Sequence, residues 1–140
     1  MVKPQTHSSK DPRFHILKAE RNEEFYRKYD MSSMDAATFN EWAVVVLFYT
    51  SLHYIDAILS QDDSLPDDLR DPADHRTRNR ALSRCSRLSV IIKTIYLNMY
   101  QRSRDARYRI ICFPNDFICK FETYSFKPLR EHIRRQLGLS

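Results

Sequence analysis

The sequence predicts an all-α fold of four to five helices. The 140 residues include a single glycine, Gly138. Sandwiches, barrels and nucleotide-binding βαβ units place glycine at turns with positive φ, so these classes are excluded, together with a glycine-rich phosphate loop. Apolar residues recur at spacings of three and four, and Asp-Pro pairs mark helix starts.

The length fits one domain, predicted over residues 12–138, behind a flexible lead-in at 1–11 that has no apolar stretch and is not a signal peptide. Three cysteines without a C-x-x-C pair are typical of a reducing compartment, which predicts a cytoplasmic protein. The longest apolar run, 42–59, contains Thr50, Ser51, His53 and Asp56, which favours a buried helix over a membrane span.

The first helix is predicted from about residue 12 to about residue 30, because Asp11 is a good N-cap and Pro12 suits the first helical position. Its apolar side contains Phe14, Ala19, Phe25, Tyr26 and Tyr29. Asn22 lies in the middle of that side. We expect it to make a structural hydrogen bond to another helix.

The second helix is predicted to begin at a capping box formed by Thr38 and Glu41 and to end near Gln61. It is apolar nearly all round, as expected of the central helix of a bundle. One face contains Trp42, Val46, Tyr49, His53 and Asp56. His53 and Asp56 are one turn apart, either as a structural pair in the core or as a pair in which each orients the other for function.

A third helical stretch is predicted after the acidic loop "SQDDSLPDDL", because Asp71-Pro72 repeats the signal of a cap followed by proline. Its apolar stripe contains Ala81, Cys85, Leu88, Ile92, Ile95 and Met99. The stripe fits one helix to about residue 104, or two helices joined near "SRLS".

The last third of the chain combines an apolar, β-branched segment with a final helix. Residues 109–121 surround a Pro-Asn-Asp turn, which favours a short hairpin or an irregular flap. Pro128 argues against one helix through the whole tail. A final helix is therefore predicted from near Ser125 to Gly138, with the proline in its first turn.

The charge is unevenly distributed along the chain. The net charge is +5; residues 20–74 hold 13 of the 18 acidic residues, and residues 70–109 hold ten arginines. This asymmetry predicts an anionic partner, or a dimer in which an acidic face docks on a basic one.

Two kinds of arginine occur in this basic segment. Those on the outward face form either an ordinary solvated face or a ridge that follows a nucleic-acid backbone, and they are Arg76, Arg80, Arg84 and Arg87. Arg78 lies on the inward stripe, and Arg107 leans the same way. Because an unpaired buried charge is very costly, we expect Arg78 to pair with Asp56 or another acid of the second helix.

Four segments carry a family resemblance: "AERNEEFYRKY", "EWAVVVLFYTSLHYIDAIL", "DHRTRNRAL" and "IYLNMYQRSRDARY". Their most specific pieces are "FYTSLH", the H-x-x-R start of the third stretch, and "SRDARY". Over residues 15–110 the chain resembles the HEPN superfamily (higher eukaryotes and prokaryotes nucleotide-binding domains).

The resemblance implies an up-and-down helical bundle that commonly dimerises. Many members are metal-independent endoribonucleases, often toxins partnered by a nucleotidyltransferase-type antitoxin, and others are non-catalytic modules. Active members place a histidine shortly after an arginine, with a polar residue following the arginine. Arg70, Asp71 and His75 match this pattern, although Pro72 interrupts the helix in which active members carry it.

Two functions follow. In the first, the chain cleaves or binds RNA or nucleotides, with His75 as acid or base and Arg70 or Arg78 as the electrostatic partner. The residues expected to bind phosphate are Arg76, Arg80, Arg84, Arg87, Arg104 and Arg107. Those expected to form a supporting polar core are Asn22, His53, Asp56 and Tyr108. In the second, the chain is a non-catalytic interaction or nucleotide-binding module, an interpretation favoured by Pro72.

No cofactor or metal is predicted. The histidines are scattered, and Cys112 and Cys119 are seven residues apart, unlike the ligands of a zinc site. The expected partners are a second copy of the chain, RNA or a nucleotide, and a nucleotidyltransferase-type antitoxin, without a membrane.

Overall fold

The computed structural model describes residues 11–28 and 39–139, and within these ranges the chain forms helices and no strand. Most of the lead-in expected at 1–11 lies outside the described residues. The helices are α1 Pro12–Arg27, α2 Asn40–Gln61, α3 Asp67–Arg70, α4 His75–Arg84, α5 Val90–Tyr108, α6 Asn115–Phe121 and α7 Lys127–Gln136, with a π-helical turn at Glu122–Phe126 between the last two. The all-α prediction is confirmed.

Helix α2 is the central element, against which α1, α5, α6 and α7 pack. Its side chains are buried on almost every side. By length and composition α2 is able to cross a membrane, but 78% of its apolar window is buried inside the protein. Such burial is typical of the core helix of a soluble protein.

Helix α1 begins as predicted, with the Asp11 side chain accepting a hydrogen bond from the Arg13 N–H and with Pro12 in the first turn. It ends at Arg27, and Tyr29 lies outside the described residues. The prediction that Phe25 faces the core is wrong, because this side chain is 63% exposed. Since α1 packs mainly on α2, only a narrow stripe of α1 is covered, and that stripe includes Ala19 and Tyr26.

Helix α2 begins at Asn40 with Phe39 in the N-cap position, and the Phe39 side chain makes no cap. The predicted capping box depends on Thr38. Thr38 lies outside the described residues. The buried Asn40 side chain bonds elsewhere: its Nδ2 donates to the Phe113 carbonyl and to Asn115 Oδ1, both at 2.7 Å. These bonds join the start of α2 to Phe113 and to the first residue of α6.

Helix α4 begins at His75, three residues later than the Asp71-Pro72 signal predicts. Asp74 is the N-cap, and its side chain accepts a hydrogen bond from the Thr77 N–H. The Pro72 carbonyl instead accepts a bond from Arg78 Nη2 at 3.1 Å, so residues 71–74 form a connection between α3 and α4.

Of the two alternatives for the third stretch, the structure has two helices, α4 and α5. Ser89 caps α5, and its Oγ accepts a bond from the Ile92 N–H. Asp62, at the end of α2, accepts a 2.9 Å bond from the Ser86 N–H in the break. The predicted apolar stripe is buried across the break except at Ile95, which is half-buried.

Of the two alternatives predicted for residues 109–121, the hairpin is wrong, because this segment contains no strand, and the irregular flap fits only its first part. Residues 110–114 are irregular, and α6 begins at Asn115. The helical backbone then continues to Gln136. In the π turn the Lys127 N–H donates to the Glu122 carbonyl. The next residue, Pro128, has no N–H, and the wider π turn allows the helix to pass this position. Gly138 follows the final helix with a φ of 72°, where glycine is favoured.

Candidate functional site

The first residue of α4, His75, lies against aromatic rings from two other helices. Its ring centroid is 5.0 Å from that of Tyr100 on α5, and 6.0 Å and 6.2 Å from those of Phe48 and Tyr49 on α2. The side chain is half-buried. Its Nδ1 atom is buried and has no hydrogen-bond partner among the residues described.

Two arginines of α5 lie over the tyrosines that contact His75. Arg107 Nη1 donates to the Tyr49 hydroxyl at 3.0 Å, and its guanidinium carbon is 5.7 Å from the centre of the Tyr49 ring. The guanidinium carbon of Arg104 is 5.9 Å from the centre of the Tyr100 ring. We call His75, Tyr49, Tyr100, Arg104 and Arg107 the His75 site.

The electrostatic environment keeps the His75 imidazole neutral near pH 7. Burial lowers the pKa of His75 below its usual value, and the positive charges of Arg78 and Arg107 lower it further. A neutral imidazole retains a lone pair on one ring nitrogen. It is therefore able to accept a proton at physiological pH.

Arg78 forms the buried ion pair that the inward stripe predicts. Its Nε donates to Asp56 Oδ1 at 2.7 Å and its Nη2 to Asp56 Oδ2 at 3.0 Å. The two residues are 7% and 4% exposed. Burial works against the charged form of Arg78, but the bonds to Asp56 keep its pKa above the ordinary value. Arg78 thus acts on His75 as a nearby charge and is too enclosed to grip a ligand.

Arg70, the arginine of the family-like motif, makes its contacts within the acidic loop. Its Nη2 donates to the Ser60 carbonyl at 3.0 Å, and its guanidinium pairs with Asp63 at 3.5 Å and Asp67 at 3.8 Å. These bonds hold the Arg70 guanidinium to the acidic loop and to the end of α2. The arginines that the structure brings to His75 are Arg78, Arg104 and Arg107.

The predicted outward ridge is shorter than expected. Arg76, Arg80 and Arg84 are exposed along α4. Arg87 lies beyond the end of that helix, is half-buried, and donates from Nη1 to the Gln61 carbonyl at 3.2 Å. Helix α4 ends before Arg87 because the backbone becomes extended at its C-cap residue, Cys85.

The residues predicted to support the site do not form one polar core. Asn22 is half-buried on α1, and Tyr108 is 74% exposed as the last residue of α5, which contradicts a core position. Both Asp56 oxygens accept hydrogen bonds from Arg78. Arg78, and not His53 as expected, therefore orients the Asp56 carboxylate. Burial, with nearby His15 second, lowers the pKa of His53 to about 4.

Two residues of the site, Tyr49 and Tyr100, have no functional role predicted from the sequence. The helical pattern places Tyr49 only on the same face of α2 as His53, and it does not single out Tyr100. A signal for Tyr100 exists in its spacing, because Arg104 follows it by four residues and so lies on the same side of a helix.

In comparisons with family models, with curated proteins and with solved structures, nothing matches this chain. The chemistry of the His75 site is therefore the basis for a function. A neutral imidazole accepts or relays a proton, guanidinium groups bind phosphate oxygens, and tyrosine faces stack on bases.

Proposed function

We propose that this chain is a cytoplasmic, dimeric HEPN-type protein that binds RNA at the His75 site and cleaves it without a metal ion. The observation that carries the proposal is the packing of His75 on Tyr49 and Tyr100, the two rings over which Arg107 and Arg104 lie. A proton acceptor and two cations thus share one small aromatic surface.

The proposed reaction begins with proton transfer to His75. The neutral imidazole takes the proton of a ribose 2′-hydroxyl, whose oxygen then attacks the adjacent phosphorus. The bond from phosphorus to the 5′-oxygen breaks, a cyclic phosphate remains, and the 5′-oxygen leaves with a proton from an acid. Arg104 and Arg107 stabilise the negative charge that develops on the phosphate oxygens. Water supplies the proton that the leaving 5′-oxygen takes, so His75 is required only in its neutral form.

The exposed arginines of α4 extend this surface. Arg76 directly follows His75, and Arg80 and Arg84 continue along the same helix. Spaced guanidiniums contact successive phosphates without reading sequence, so they position a strand whose target phosphate lies at His75.

A second candidate function is a non-catalytic RNA- or nucleotide-binding module, which includes a role beside a nucleotidyltransferase-type antitoxin. The contacts of Arg70 favour it, because Ser60, Asp63 and Asp67 already hold this guanidinium. In this alternative the His75 site binds its ligand and leaves it intact.

The test is an RNA-cleavage and RNA-binding assay in EDTA on the parent, His75→Phe and Arg104→Ala/Arg107→Ala. Phenylalanine keeps the packing on Tyr49 and Tyr100 but has no ring nitrogen. His132→Ala, a half-buried histidine on α7, is the matched control. We expect cleavage by the parent and by His132→Ala, and a loss of roughly 100-fold or more in His75→Phe.

The assay also separates the two candidates. Cleavage that persists in His75→Phe contradicts the proposed role of His75. RNA that is bound but left intact, with binding weakened in Arg104→Ala/Arg107→Ala, supports the non-catalytic module. A parent that neither binds nor cleaves RNA at low salt rejects RNA cleavage and, for the non-catalytic module, rejects RNA as the ligand.

A further inference from the structure

Three side chains with metal-binding atoms meet between α1 and α2. They are His15 of α1 and His53 and Asp56 of α2, and one ligand atom from each lies within 4.8 Å of the other two. We propose that His15, His53 and Asp56 bind one divalent transition-metal ion, with Zn²⁺ as the representative. This site is separate from the His75 site, and the proposal does not depend on RNA cleavage.

The helix geometry creates this cluster from residues that are far apart in sequence. His53 and Asp56 are at positions i and i+3 of α2, the spacing with which helical bundles place a carboxylate and a histidine on one metal. The packing of α1 on α2 then adds His15, whose ring is stacked on that of His53 with centroids 6.4 Å apart.

His53 supplies an independent observation in favour of a ligand. Its Nδ1 atom is buried and has no hydrogen-bond partner among the described residues. A buried polar atom normally has a bonding partner. An unpartnered nitrogen beside two other side chains that are able to bind metal therefore indicates that a bound ion supplies the missing partner.

Only side-chain adjustment is needed to close the cluster around an ion. Metal–ligand distances of about 2.0–2.2 Å place neighbouring ligands of a tetrahedral zinc roughly 3.4 Å apart. The 4.8 Å limit on the separations therefore requires an approach of at most about 1.4 Å, which rotation of the two half-exposed imidazoles supplies.

The ion pair of Asp56 with Arg78 is compatible with this role. A carboxylate has about four lone-pair positions, and Arg78 occupies one on each oxygen. A further position on either oxygen is left for a metal. Carboxylates that bind metals are commonly hydrogen-bonded by an outer partner, and Arg78 would be that partner.

The ligand set selects the class of ion. Two imidazole nitrogens and one carboxylate oxygen suit Zn²⁺, Co²⁺ or Ni²⁺, whereas Mg²⁺ and Ca²⁺ prefer oxygen ligands alone. With three protein ligands, the fourth position of a tetrahedral ion is open to water. The bound ion would join α1 to α2 and, through Asp56 and Arg78, to α4.

The experiment is a titration with ZnCl₂ by calorimetry, with Co²⁺ absorption as a second readout of the ligand environment. The full chain carries Cys112→Ser and Cys119→Ser, because both thiols are exposed and would bind zinc adventitiously. We expect one Zn²⁺ per chain, a melting temperature that rises with added Zn²⁺, and no competition from Mg²⁺.

Variants assign the ligands. His15→Ala and His53→Ala each should weaken Zn²⁺ binding by roughly tenfold or more and remove the thermal shift, whereas His132→Ala binds as the parent does. Circular dichroism establishes that each variant is folded, and His15 serves as the readout if His53→Ala unfolds. Absence of Zn²⁺ binding by the parent, or an affinity in His15→Ala and His53→Ala equal to that of the parent, overturns the proposal.

Discussion

At the scale of single residues, the ion pair of Arg78 with Asp56 links the start of α4 to the middle of α2. Both side chains are almost inaccessible to water, and the guanidinium also bonds to the Pro72 carbonyl. When two opposite charges are buried together, removing one of them leaves the other without compensation and destabilises the fold. The same arginine lowers the pKa of His75, so the pair influences the candidate site as well as the fold.

Removing one partner should expose this cost. Arg78→Ala leaves a buried carboxylate and is expected to lower the free energy of unfolding by about 3–5 kcal/mol, measured by urea denaturation. The double variant Arg78→Met/Asp56→Leu replaces both charges and should recover most of the loss. Arg80→Ala, at an exposed position on the same helix, is the control. A fully stable Arg78→Ala would contradict the buried pair.

The pKa of His75 predicts the pH dependence of any RNA cleavage. The base form is the neutral imidazole, so the rate should rise with pH as His75 loses its proton and then level off. Because burial and the neighbouring arginines lower the pKa, the midpoint of that rise should lie below about 6.5. A midpoint above this value, read from the cleavage rate against pH, would argue for another base.

At the scale of elements, the break between α4 and α5 is fixed by groups outside the apolar stripe. The Asp62 carboxylate accepts bonds from the Ser64 N–H at 3.0 Å and from the Ser86 N–H at 2.9 Å, and Ser89 caps α5. The stripe keeps the same side inward before and after the break. The apolar periodicity therefore cannot distinguish one helix from two. The bond that decides, from the Ser86 N–H to Asp62, joins residues 24 apart in the sequence.

Asp62 should give the fold a measurable sensitivity to acid. Burial opposes its ionisation, but bonds from Ser64, Cys85 and Ser86 outweigh that effect and lower its pKa to about 2. A folded-state pKa below the unfolded value of about 3.9 contributes stability that is present above pH 4 and is lost as the pH falls toward 2. Asp62→Ala should be less stable at pH 7 by about 1–3 kcal/mol.

The pH series distinguishes this cause from general acid sensitivity. The difference in unfolding free energy between parent and Asp62→Ala should shrink between pH 4 and pH 2, because the parent loses the ionised form. Asp63→Ala, whose side chain is exposed, is the matched control and should follow the parent. A difference that stays constant over this range would mean that the Asp62 charge contributes nothing.

At the scale of the whole molecule, the class of fold and much of the core could be predicted from local rules. One glycine and helical spacing are enough to predict helices, and the inward position of Arg78 predicts its pairing with Asp56. The sites required contacts between distant elements. Tyr49 and Tyr100 reach His75 only through the packing of α2 and α5, and His15 reaches His53 only through the packing of α1, so sequence spacing shows neither cluster.

The surface charge predicts how RNA binding responds to salt. Each arginine removed from a phosphate should reduce the slope of log affinity against log salt concentration by roughly 0.7 for a single strand. Arg76→Ala/Arg80→Ala/Arg84→Ala should therefore lower the slope by about 2. Lys120→Ala/Lys127→Ala/Arg135→Ala removes the same charge from exposed positions elsewhere and is the control. Equal slopes for the two triple variants would contradict a binding surface on α4.

The π turn at Glu122–Phe126 has a consequence for how the two ends of the chain are joined. One extra residue in a helical turn rotates everything that follows by about 100°. Helix α7 reaches α1 through Arg130, bonded to Glu23 at 2.6 Å, and Arg134, bonded to Glu20 at 3.3 Å. Deleting one residue from the turn would rotate both guanidiniums away from their glutamates. The extra residue of the π turn therefore sets the rotation of α7 about its axis that allows it to bond to α1.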